Sequence, residues 1–226
     1  MTAPHSIAGA FLALALAAGG AASAAAQTSP ERSQGGSELS VQRFSGPAEH
    51  PRRHYRISDS AELSPTTAQA FYEELRADLR EGYAQSGDVT AGSYQTWVRF
   101  NTAPYNSMTH GRRYVNNYAN DIAGAYGAAE QAGRFPVGSV VAKDSFVVTQ
   151  SGEIEPGPLF LMEKMPAGFN YVTGDWRYSM VTADGTLAGR TGGPGEARVE
   201  FCISCHLARE AQDHLFFVPP AFRPPS

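Results

Sequence analysis

Apolar residues first settle into a regular pattern after Ser64-Pro65. Phe71, Leu75 and Leu79 recur at helical spacing, with Glu73, Glu74 and Arg76 on the other side. Ser at the N-cap and Pro at the first helical position mark a start. The period predicts one amphipathic helix ending near Gly87. From Ser93 the pattern changes, and the aromatic, β-branched run Tyr94 to Phe100 predicts a strand. Arg113 to Ala132 returns to helical spacing through Tyr114, Tyr118, Ile122 and Tyr126. Three strand-like runs follow, Ser139 to Thr149, Leu159 to Met165 and Trp176 to Thr182, separated by Pro, Gly and Asp-Gly turn chemistry. Short connections between consecutive strands predict antiparallel pairing. There is no internal repeat. The expected class is α+β, a mainly antiparallel sheet with N-terminal helices and a short C-terminal segment.

The N-terminal stretch breaks this pattern. Ile7 to Ala18 is a short apolar run and Ala22 to Ala26 a small-residue stretch, so residues 1–26 read as an export signal cleaved before Gln27. The run is too short for a stable anchor, so no membrane span is expected in the mature chain. No Lys or Arg precedes it, which leaves an Ala-rich helix kept in the mature protein as the alternative. The expected location is periplasmic or secreted. Residues 27–58 are rich in Ser, Gly, Pro, Gln and Arg and read as a flexible leader. Residues 59–226 are then one domain. A net charge of −4 offers no footprint for nucleic acid.

The candidate chemistry sits near the C-terminus, in Cys202-Ile203-Ser204-Cys205-His206. Two thiols at this spacing can each add to a vinyl group of haem, and the adjacent His then lies beneath the iron. The reading is one covalently attached haem c, bound through Cys202 and Cys205 with His206 as iron ligand. A thioredoxin-like redox pair would open a helix in a βαβ unit, and none surrounds the motif. Zinc would need a fourth ligand, such as His110 or His214. A disulfide between residues so close would constrain little of the chain. Only twenty residues follow His206, so the pocket must be built from upstream residues, with the sheet as the best candidate.

The opposite axial position decides between electron transfer and chemistry on a small molecule. Met162, Met165 and Met180 are possible ligands, but each falls in a strand pattern, where Met commonly fills core. An open site facing aromatics such as Phe146, Phe160, Trp176 and Tyr178 is the expected arrangement. Asp213 and His214 are expected to orient the C-terminal segment or stay solvated.

The stretches "FPVGSVVAKDSF", "GPLFLMEKM", "GDWRYSMV" and "FCISCHLAREAQDHLFFVPPAFR" resemble the cytochrome P460 family, which includes the cytochromes c′-β. They run from Phe135 to Arg223 in the family's order. The resemblance implies a predominantly antiparallel β fold, a homodimer, and a five-coordinate haem open to a small nitrogenous ligand or substrate. One branch oxidises hydroxylamine and carries a Lys bonded to the haem ring, which maps onto Lys143. The other lacks the cross-link and binds nitric oxide. From residues alone, Lys143 shares a strand face with Val141, Ser145 and Val147. It either snorkels to the surface or is directed at something buried. The resemblance also places the loop before the motif beside the distal pocket, so Glu196 is a candidate proton relay; otherwise it is a solvated loop residue. The function read is oxidation of hydroxylamine or a related small nitrogen compound, with a cytochrome as redox partner; the alternatives are nitric oxide binding without turnover and, if a Met ligates the iron, electron transfer.

Overall fold

The computed structural model describes residues 51–225. The expected export signal and the leader up to residue 50 lie outside the described residues. Helix α1 (Pro65–Ala84) starts where expected, with Ser64 Oγ accepting from Thr67 N at 3.1 Å. Its inner face is Ala68, Tyr72, Leu75, Leu79 and Tyr83. A second, short helix α2 (Val89–Ser93) follows, capped by Asp88, whose Oδ1 accepts from Thr90 N and Ala91 N. The helical turn continues through Tyr94–Thr96 and delivers Tyr94 into the core. The strand expected over 94–100 is thereby reduced to β1 (Val98–Arg99).

The helix expected over 113–132 is also corrected. Its first part is strand β3 (Arg113–Ala119), preceded by β2 (Tyr105–Ser107); only Asp121–Gln131 is helical, and as a kinked 3-10 run. A spacing of four, as between Tyr114 and Tyr118, is one helical turn but also two full strand periods. The three expected strands are present as β4 (Val140–Val148), β6 (Leu159–Lys164) and β7 (Trp176–Val181). Two short strands escape the pattern, β5 (Ile154–Pro156) and β8 (Leu187–Arg190).

All eight strands form one antiparallel sheet in the order β1-β3-β4-β6-β7-β8, with β2 on β3 and β5 on β4. The α+β class holds. Alternation along β4 divides the interior. Ala142, Phe146 and Val148 meet α1, where Asp144 Oδ2 accepts from the Tyr72 and Tyr94 hydroxyls at 2.8 and 2.9 Å. Val141 and Lys143 face the other way, toward the C-terminal segment. No described helix is long and apolar enough to cross a membrane.

Candidate functional site

After β8 the chain turns sharply to reach α3 (Glu200–His206). Gly195, with φ 68°, packs so closely on Gly189 that a Cβ on Gly189 would lie 2.4 Å from the Gly195 carbonyl oxygen. That turn seats buried Val199 and Phe201 against the sheet. On α3, Cys202, Cys205 and His206 stand at i, i+3 and i+4, which places them on one side of the helix. The two thiols are free, Cys202 half-buried and Cys205 exposed. Burial pushes the Cys202 thiol up to about 12.

His206 is held on three sides. Its Nδ1 lies 2.6 Å from the His214 carbonyl oxygen. A carbonyl only accepts, so the ring proton is on Nδ1 and Nε2 keeps its lone pair. Tyr178 and Phe216 stand edge-on to the ring at 5.2 and 5.1 Å. Burial lowers the imidazole to about 4, so it is neutral near pH 7. This is the state in which a histidine binds a metal.

These groups open into a cavity of about 320 Å³. The sheet supplies Lys143, Phe160, Met162 and Tyr178; the segment after α3 supplies Leu215 and Phe216. Lys143 is buried, and desolvation lowers its amine to about 8. The Tyr178 hydroxyl is buried without a partner among the described residues. Two further histidines complete the wall. His54 and His110 lie 5.0 Å apart, both against Phe160, and His54 also meets Phe201 at 4.5 Å. His110 Nδ1 is 2.9 Å from Ser107 Oγ, leaving Nε2 as its remaining nitrogen. Burial holds both rings neutral, His54 down to about 3 and His110 well below its usual value. Arg52 and Arg53 also line the cavity, and no described carboxylate does.

The structure thus brings Lys143, Cys202, Cys205 and His206 to one cavity. It does not bring Glu196 there. That side chain is exposed on a 3-10 turn, where Oε1 accepts from Gly192 N at 3.0 Å and so caps its own loop. Of the three methionines named as possible ligands Met162 lines the cavity, and of the four aromatics expected to face it Phe160 and Tyr178 do. Phe146 faces α1 and Trp176 packs on Phe135. His54 and His110 carried no sequence signal for this role. His54 belongs to the stretch that composition reads as leader, yet Ile57 beside it is buried and donates from N to the Gly111 carbonyl at 3.0 Å.

The rivals to haem lose their settings. An all-antiparallel sheet has no βαβ unit to carry a thioredoxin-like pair. No described group of three or more His, Cys, Asp or Glu side chains is placed to hold a metal ion alone. What the cavity offers is two thiols, three uncharged imidazoles of which His206 has its Nε2 lone pair free, aromatic walls, and an orphaned buried hydroxyl. That donor set fits a porphyrin and defines a haem-binding protein. A family model described as Cytochrome P460 matches residues 91–217, more than half of the chain, and the chain belongs to that family. A comparison with curated proteins finds no match.

Proposed function

We propose that this chain is an exported mono-haem c-type cytochrome with an open distal site, which oxidises hydroxylamine or a related small nitrogen compound. Cys202 and Cys205 would hold the haem by thioether bonds, and His206 Nε2 would ligate its iron. When bound, the haem would supply a redox-active iron able to ligate a small nitrogen compound, with a redox partner as the electron acceptor. Burial of Lys143 in the same cavity as the motif carries this reading. A desolvated amine with a lowered pKa is partly neutral near pH 8, with its lone pair free; a bond from it to the haem edge would replace one ring C–H and one N–H, with the two protons and two electrons going to a peroxide oxidant. With Glu196 turned into its own loop, His54 and His110 line the cavity, but burial holds both too low to take a proton near neutral pH, so they act there as uncharged hydrogen-bonding walls. Export rests on the signal-like residues 1–26, and a homodimer on the family resemblance.

The test is the mass of the haem peptide together with the reduced absorption spectrum. A peptide containing Lys143, and the displaced reduced band after which the family is named, are expected. Lys143→Ala loses both, and hydroxylamine oxidation with them. A second reading, capture of nitric oxide without turnover, is favoured by the lack of a described carboxylate in the cavity. An ordinary high-spin reduced spectrum with no linked Lys143 peptide establishes it instead. A six-coordinate, Met-ligated spectrum sinks both readings in favour of electron transfer through Met162.

A further inference from the structure

The segment that closes the proximal side carries an unexplained device. Asp213 and His214, just after the helical turns that follow α3, both have left-handed backbone, with φ 50° and 63°. Two consecutive non-glycine residues rarely adopt it. The conformation is clamped from both ends. Asp213 is buried, and its two carboxylate oxygens accept from Lys164 Nζ at 2.7 and 2.8 Å. Oδ2 also accepts from Phe135 N at 2.9 Å. Lys164, itself buried, lies over the Trp176 ring with Nζ 5.0 Å from its centroid. His214 packs its ring against Gly174, where a Cβ would come within 2.9 Å of it.

The product of this clamp is the aim of one carbonyl. His214 O is the acceptor 2.6 Å from His206 Nδ1. A hydrogen bond accepted from Nδ1–H moves electron density toward Nε2 and fixes the ring's orientation. We propose that Lys164 and Asp213 are positioning residues for the proximal imidazole. Their ion pair holds the His214 carbonyl on His206 Nδ1 and so sets how strongly Nε2 donates. Neither side chain touches His206; the influence passes through the backbone of residues 213 and 214. A buried ion pair contributes little stability beyond apolar packing of the same volume. The position it enforces explains it better. The inference rests on His206 being the iron ligand.

The test reads the iron–imidazole stretch of the ferrous holoprotein by resonance Raman, alongside the midpoint potential. Lys164→Met is expected to shift the stretch to lower frequency and the potential to more positive values. Lys164→Arg, which keeps the pair, is expected to restore both toward the parent. Because Lys164→Met leaves a buried carboxylate unpaired, Lys164→Met with Asp213→Asn provides a form without uncompensated charge, and the same shifts are expected there. Parent-like stretch and potential in the folded double variant overturn the inference, even if its thermal midpoint falls. A parent protein with no iron–imidazole stretch overturns the ligation reading, and this inference with it.

Discussion

Lys143 and Asp144 are neighbours in sequence on opposite faces of β4, and both are buried. Their surroundings differ. Asp144 is satisfied by Tyr72, Tyr94 and Asn116, whereas among the described residues no hydrogen-bond partner compensates Lys143 for its desolvation. The folded-state pKa of Lys143, about 8, lies below its unperturbed 10.5. Between these values the unfolded chain binds a proton that the folded chain does not, so stability rises with pH across that window. The raised Cys202 thiol acts in the opposite direction above about pH 9, so the Lys143 contribution is read as a difference: from pH 8 to 10.5 the denaturant midpoint of the haem-free Lys143→Met chain should fall relative to that of the parent. Equal pH dependence in the two forms would contradict the burial of the amine. The Lys143 face was legible from period two alone; what it faces was not, because the cavity is assembled from segments distant in sequence. His54 and the Lys164–Asp213 pair, 49 residues apart, escaped for the same reason. Cys202, Cys205 and His206 were legible because their chemistry is local.

At the level of elements, strong local signals carried through and ambiguous ones did not. Helix α1 has a cap, a Pro and a 3.6 period that agree, so its start was placed correctly. Strand β3 is covered on both sides, and its four-residue tyrosine spacing satisfies two periods at once, so tertiary pairing with β4 decided it. Strand β8 is Leu-Ala-Gly-Arg, with too little β-propensity to show. Yet β8 positions α3, through the close approach of Gly189 to Gly195. Gly189→Ala should push the turn off the strand, displace Cys202 and lower the yield of haem-loaded protein. By contrast, Ser64→Ala should cost about 1 kcal/mol of stability and leave haem loading per folded molecule unchanged. Pyridine haemochrome assay against total protein separates the two.

At the scale of the whole molecule, the sheet is a wall between two interiors. One, with α1, holds Leu79 at 1% exposure and the Asp144 network; the other holds the cavity. Leu79→Ala should cost about 3 kcal/mol by the loss of buried methyl groups. It should lower the thermal midpoint while the reduced absorption spectrum keeps its parent shape. A spectral change in that variant would show that the wall transmits packing strain.

The packing of His54 against Phe160 and Phe201 has a kinetic consequence. Among the described residues, the bonds that tie the segment carrying it include Ile57 N to Gly111 O and Arg113 Nη1 to the Tyr55 carbonyl at 3.1 Å. Lightly anchored segments at the margin of a domain open well before the domain unfolds. The cavity is therefore closed on one side by a segment at the margin of the described residues. Traffic between the cavity and solvent on that side should then depend on local opening of this segment. Amide exchange at Ile57 should be far faster than in β4, and it should slow when a small ligand fills the cavity.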